Sequence, residues 1–173
     1  MGGPPLSLKA RALQWLAQRE HSRTELRRKL LQLARQRALD LATSGGVEAA
    51  TGAADPAAEV DSLLDWLVAQ RYLSDTRFVE SRVNARAARY GNLRIRQELE
   101  RHGAALDAAT AERLKASELA RARAVWMRKY GSAPATQAAE RARQMRFLTG
   151  RGFSADVIRQ VIRGGPSQFD DGL

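Results

Sequence analysis

The chain has 173 residues and a mass of 19.1 kDa, enough for one ordinary domain or a few small modules, which excludes a large multidomain enzyme. With Lys+Arg 29 against Asp+Glu 19 the formal charge is +10, so the natural partners are expected to be acidic, while 44% hydrophobic residues set the chain apart from disordered sequences. The absence of cysteine excludes disulfides, thiolate metal sites and a cysteine nucleophile.

Met1–Ser7 is short and rich in Gly and Pro, without the apolar stretch of an export signal. No apolar run approaches the roughly 18 to 20 residues of a bilayer-spanning helix, so a soluble, cytoplasmic protein without a membrane partner is expected. Apolar residues recur three and four apart along nearly the whole sequence, the period of helices. Leu6, Ala10, Leu13, Leu16 and Ala17 give a first helix ending near Arg19, with Trp15 on its flank. Ser22 and Glu25 form a capping box that opens a second, with the stripe Leu26, Leu30 and Leu33 and with Arg27, Arg28, Lys29, Arg35 and Arg37 on its other faces. Residues 43–58 are small and polar and read as a mobile loop. A third helix carries Val60, Leu63, Leu64 and Leu67 and ends at Tyr72-Leu73. Ser74 caps a fourth with Phe78, Val79, Val83 and Ala87, and Gly91-Asn92 breaks it. Ile95 and Leu99 mark a fifth, closed by His102-Gly103. Leu106–Ala116, Leu119–Tyr130 and Thr136–Thr149 follow, the last two separated by residues 131–134. Ser154 caps a ninth helix with Val157, Ile158, Val161 and Ile162, and the tail from Gly164 reads as frayed.

Three segments align on their helix starts: HSRTELRRKL from His21, YGNLRIRQEL from Tyr90 and FSADVIRQVI from Phe153. Each opens with a ring (His21, Tyr90, Phe153) and a small residue suited to helix entry (Ser22, Gly91, Ser154). An aliphatic and an arginine follow (Leu26-Arg27, Ile95-Arg96, Ile158-Arg159), then another aliphatic three residues on (Leu30, Leu99, Ile162). About nine helices thus divide into three units of three. Units this small must stack, so the expected fold is all-α, with three tandem three-helix repeats forming an elongated curved body.

Catalytic chemistry has little to draw on. His21 and His102 lack companions, Asp61 and Asp65 are better read as spaced surface carboxylates than as metal ligands, and no strand precedes a phosphate loop. No enzyme activity, metal or cofactor is expected. Of the basic residues only Lys9, Lys29, Lys115 and Lys129 are lysines; the rest are arginines, whose planar fork suits paired bonds to phosphate or carboxylate. Arg82, Arg86 and Arg89 form one helical stripe, extended by Arg94, Arg96 and Arg101. Trp15, Trp66 and Trp126 read as core. Tyr72 and Tyr90 are either surface anchors or, preferably, packed rings closing helix turns.

The stretch VDSLLDWLVAQRYLSDTRFVESRVNARAARYGNLRIRQELERHG, from Val60 to Gly103, resembles the central signature of the RecX family, bacterial regulators of the RecA recombinase. Tyr72-Leu73-Ser74-Asp75, Arg77-Phe78 and the run Arg94 to Leu99 carry the likeness, and the opening ALQWLAQREHSRTELRRKL and closing FLTGRGFSADVIRQVI also look like that family's outer units. The small-residue insert at 43–58 departs from the pattern. The resemblance implies a non-enzymatic protein of three-helix units, here residues 6–73, 74–116 and 117–164 with a flexible tail at 165–173. Such a protein would bind the RecA–DNA filament and limit its extension, ATPase, strand exchange and coprotease functions in recombination, DNA repair and the SOS response. Tyr72, Arg77, Arg82, Arg86, Arg94 and Arg96 are then the expected partner surface, and Arg27, Arg28, Arg89 and Arg101 the expected contacts to single- or double-stranded DNA. The alternative is a basic helical DNA-binding protein that acts by competing for DNA.

Overall fold

A computed structural model describes residues 6–43, 55–131 and 135–164, and every regular element among them is a helix. In chain order these are α1 (Leu8–Gln18), α2 (Arg23–Thr43), α3 (Pro56–Ala69), α4 (Asp75–Ala87), α5 (Asn92–Arg101), α6 (Ala108–Tyr130), α7 (Ala138–Gly150) and α8 (Ala155–Arg163). The fold is all-helical and built on tandem repeats, as expected. No helix among the described residues is long and apolar enough to cross a membrane.

Eight helices replace the nine read from the sequence because 106–116 and 119–130 run together as α6. The expected break falls at the polar pair Ser117-Glu118 between those segments. Glu118 instead lies on the buried stripe of α6 with Thr110, Leu114, Ala122 and Val125, so the helical period continues through it. The loop expected at 43–58 is also shorter at both ends: Thr43 closes α2, and Pro56–Ala58 already form the first turn of α3. Asp55 caps that turn by accepting from the Ala57 amide at 3.0 Å, and Pro56 at the first helical position has its φ pre-set. The rest of that loop, residues 132–134 and the tail beyond Gly164 lie outside the described residues.

The three aligned segments adopt one local structure. Each small residue accepts the first helical bond four residues on: Leu26 N to Ser22 O at 2.9 Å, Ile95 N to Gly91 O at 3.2 Å and Ile158 N to Ser154 O at 2.9 Å. Leu26, Ile95 and Ile158 are all buried. The later aliphatics differ, because Leu30 and Leu99 are buried whereas in the third copy Val161 takes the interior place and Ile162 only flanks it. Of the three rings, His21 and Phe153 are buried and Tyr90 is not.

By packing, the chain forms two compact units, residues 1–79 with 102–104 and residues 80–101 with 105–173. The first unit buries Leu8, Ala12, Leu26, Leu30, Val60 and Leu64 among others, with Trp15 and Trp66 only partly covered at its margin rather than central as expected. Ser22 serves twice in it, accepting from the Glu25 amide at 3.1 Å and donating to the His102 carbonyl at 2.5 Å. The Glu25 carboxylate does not close the expected box; it lies among Arg19, which donates to it, His21 (3.2 Å) and His102 (3.5 Å). The second unit packs α7 and α8 on α6 around Ala122, Val125, Trp126, Leu148, Phe153 and Ile158. Among its buried polar groups, Trp126 Nε1 donates to Gln144 Oε1 at 2.8 Å while Gln144 Nε2 has no partner among the described residues, and Glu118 accepts from the Asn92 amide at 2.9 Å and from Ser154 Oγ at 3.2 Å. One carboxylate thereby satisfies groups at the N-termini of both α5 and α8. Arg121 does the reverse for carbonyls, donating to Ala87, Tyr90 and Leu114 and to Asn92 Oδ1. Burial lowers its pKa, yet these acceptors, with Ser117 Oγ at 3.2 Å as a fifth, hold its charge in place.

Candidate functional site

The ten residues singled out from the sequence divide between the two units. In the first, α2 and α3 are laced by charge: Arg27 grips Asp61 with two bonds of 2.6 and 2.8 Å, and Arg23 bonds Asp65 at 2.7 Å. The hydrogen bond from Arg27 holds the Asp61 carboxyl below its usual range and raises the guanidinium's own pKa. Asp61 and Asp65 are thus acceptors for α2. Arg28, one residue on, is exposed and has no charge partner among the described residues.

Arg77, near the start of α4, donates from Nε to Glu20 at 2.8 Å and from Nη2 to the Tyr72 carbonyl at 3.0 Å. It is therefore held against the turn that presents Tyr72. The Tyr72 ring is 50% exposed and stacks on Trp66, centroids 5.8 Å apart, with the Lys9 ammonium 3.5 Å from the Trp66 ring centre. It is a surface aromatic and not the packed ring preferred from sequence.

In the second unit the expected stripe is partly neutralised. Arg82 reaches Glu98 at 3.3 Å and Arg86 reaches it at 3.0 Å, so α5 offers one carboxylate to two guanidiniums of α4. Arg94 bonds the Gly150 carbonyl at 3.2 Å and stacks over Tyr90 at 4.4 Å, with Arg151 at 5.5 Å and Arg86 at 5.9 Å from the same ring. Tyr90 thus gathers three guanidiniums, a cluster that helical spacing does not announce because Arg151 comes from another repeat. Beside it lies a cleft of about 460 Å³ lined by Arg94, Gln97, Glu98, Arg101 and Thr149. Arg89, Arg96 and Arg101 are exposed and carry no charge partner among the described residues.

The positive surface is thus of two kinds. Arg27, Arg77, Arg82 and Arg86 are fixed by carboxylates, while Arg28, Arg89, Arg96 and Arg101 keep their donors for outside acceptors. Sequence reasoning missed Arg151 at Tyr90, Arg121 and Glu118; for the last, its place on an apolar stripe was the available signal.

Comparison with known proteins decides the family. Residues 74–111 match the model of the second three-helix domain of RecX, and residues 116–162 that of the third. The chain is 47% identical over 170 residues to a regulatory protein RecX of Ralstonia nicotianae, covering 97% of this chain and 94% of that one. It belongs to the RecX family. A RecX relative from Leptothrix cholodnii is also 47% identical, over 96% of this chain and 94% of its own. The crystal structure of RecX from Lactobacillus salivarius shares the fold with a TM-score of 0.62, at 19% identity over 91% of this chain and 93% of that one. The RecX resemblance of the segment from Val60 to Gly103 therefore extends over nearly the whole chain.

Proposed function

We propose that this chain is a non-enzymatic, cytoplasmic regulator that binds RecA–DNA filaments and inhibits their extension, and with it ATPase, strand exchange and coprotease activity. The observation that carries the reading is membership of a family whose relatives are called regulatory proteins, along nearly the full length of this chain. In the first unit Tyr72 supplies an aromatic face and Arg77, held by Glu20, a fixed edge; in the second, Arg94 and Arg96 supply donors and Arg82 and Arg86, held by Glu98, fixed edges. The unpaired Arg28, Arg89 and Arg101, together with the Asp61-bound Arg27, are assigned to DNA phosphate. These exposed guanidiniums also support the second reading, a DNA-binding protein that displaces RecA by competition.

The test is RecA's ATP hydrolysis on preformed single-stranded-DNA filaments, with this protein sub-stoichiometric and bare DNA in large excess. Inhibition that persists under those conditions is expected. Inhibition that appears only near saturation of the DNA would refute direct action on the filament and leave competition as the mechanism.

A further inference from the structure

Among the described residues three interhelical turns pass through positive φ at a glycine, Gly103, Gly131 and Gly152, and the first and last of these lead directly into a buried residue. Gly103 (φ 67°) precedes buried Ala104, and Gly152 (φ 80°) precedes buried Phe153. Both glycines are also needed for room, since a Cβ would strike the Thr24 side chain at Gly103 and Arg94 at Gly152. In the α3–α4 turn, where half-exposed Tyr72 and then buried Leu73 follow, the left-handed residue is Arg71 at φ 61°. Among the described residues it is the sole non-glycine with positive φ, a conformation costing about 1–2 kcal/mol for a residue with a Cβ. Glycine would meet the backbone requirement without that cost. The arginine side chain is what glycine would not supply.

That side chain stands on the rim of a pocket of about 530 Å³ within the first unit, inside the ~300–1,000 Å³ range of ligand pockets. Leu73 forms its buried floor, and Val68, 45% exposed on the last turn of α3, forms an apolar wall. The other lining charges are used internally: Arg23 bonds Asp65, Asp75 accepts from the Arg23 amide at 2.8 Å, and Arg77 bonds Glu20. Arg71 alone among the pocket's cations has no carboxylate partner within the described residues. Half-exposed Tyr72 follows it directly.

We propose that this pocket is a docking site for an acidic–apolar segment of a partner protein, in which a Leu-, Ile- or Phe-sized side chain covers Val68 and Leu73 while a neighbouring carboxylate takes the Arg71 fork. The chemistry favours protein over nucleic acid, because one free cation beside the Asp75 carboxylate and an apolar floor does not match a row of phosphates. The proposal rests on the reading of this chain as a RecA-filament regulator, and it places the acidic segment on the filament's protein surface.

Arg71→Gly tests it, since the substitution relaxes the backbone while removing the fork. Binding of labelled wild type, Arg71→Gly and Val68→Asp to RecA–single-stranded-DNA filaments and to bare single-stranded DNA is compared by fluorescence anisotropy, with melting temperatures alongside. The expected result is a melting temperature for Arg71→Gly equal to or above wild type, filament affinity lower by about tenfold for both variants, and unchanged binding to bare DNA for Arg71→Gly. Filament affinity equal to wild type in both variants would overturn the pocket and leave the regulatory reading standing. An equal loss on bare DNA would overturn it by making Arg71 a phosphate contact. Should wild type itself ignore filaments, the regulatory reading falls, and the pocket is judged by titrating the blocked peptide acetyl-Glu-Leu-Asp-Phe-amide against the wild type and Arg71→Gly by NMR. Saturable shifts at the Leu73 methyls that vanish in Arg71→Gly support the site, and their absence in wild type overturns it.

Discussion

Gly91→Ala should be among the most damaging single-methyl changes in this chain, and the reason is backbone contact. Gly91 is buried, its amide donates to the Arg151 carbonyl at 2.9 Å, and two residues on the Leu93 amide donates to the Gly152 carbonyl at 3.1 Å. A Cβ at position 91 would collide with the Gly152 carbonyl and the Phe153 amide nitrogen, atoms that cannot rotate aside. The start of α5 must then part from the turn before α8. Two hydrogen bonds worth about 1 kcal/mol each are lost or stretched, and overpacking adds about 1–3 kcal/mol, so the expected destabilisation is roughly 3–5 kcal/mol. Gly150→Ala is the matched control: that residue ends α7 with nothing near its would-be Cβ, and alanine there should be neutral or stabilising by about 0.5–1 kcal/mol. Urea unfolding followed by far-ultraviolet circular dichroism measures both. A cost below about 1 kcal/mol for Gly91→Ala would refute the close approach of these two turns.

Glu98→Gln removes the negative charge that Arg82 and Arg86 share. Because all three side chains are partly exposed, the stability loss should stay within about 1 kcal/mol, while affinity for single-stranded DNA rises and its salt dependence steepens; weaker DNA binding would mean that the pairing positions the guanidiniums. Acid should loosen the first unit in two stages. Burial lowers the His21 pKa below 6.5, against the pull of Glu25, with Arg19 and Lys29 adding to the depression, so the unfolded chain takes up its proton first and stability present above about pH 6.5 falls as the solution acidifies. Burial pushes Glu25 upward, but the Arg19 hydrogen bond and the charges of His21, Arg19 and His102 outweigh it, so its contribution is lost only below its ordinary 4.5. Thermal melts from about pH 7.5 to 3.5 should therefore show both declines, and His21→Gln should flatten the upper one while the lower one persists on the Arg19 bond, reduced by the loss of the His21 charge; a wild-type melting temperature constant between about pH 7.5 and 5.5 would contradict a buried neutral His21.

What the sequence made legible was whatever is decided within about one helical turn. Ser22, Gly91 and Ser154 accept the first bonds of α2, α5 and α8 as their spacing implies, and Leu26, Ile95, Leu30 and Leu99 are buried on the expected faces. The merging of two segments into α6 was hidden because Glu118 looks like an interruption until the Asn92 amide, 26 residues away, and the Ser154 hydroxyl, 36 away, are brought to it. The same non-locality governs the arginines. Arg82 and Arg89 are equivalent by spacing on the expected stripe, yet Arg82 meets Glu98, sixteen residues on in the chain, while Arg89 lies in the turn beyond the end of α4 and meets no carboxylate among the described residues. A stripe read from helical period therefore overstates the charge offered to a partner.

The distinction carries a functional consequence. Paired guanidiniums such as Arg77 and Arg86 are already ordered, so an acidic partner that engages their outer edges pays little side-chain entropy but gains only part of each fork. Unpaired ones such as Arg96 and Arg101 gain the whole fork at a larger ordering cost, the pattern suited to salt-sensitive contact with phosphate. Within the second unit both kinds occur close in sequence: Arg86 on α4 is fixed by Glu98, while Arg89 in the turn after α4 and Arg96 on α5 have no carboxylate partner among the described residues. Neutralising Glu98 converts one kind into the other without touching an arginine. Filament inhibition that survives Glu98→Gln while DNA affinity rises would separate protein recognition from phosphate binding on this surface; inhibition that strengthens in step with DNA affinity would assign both to phosphate.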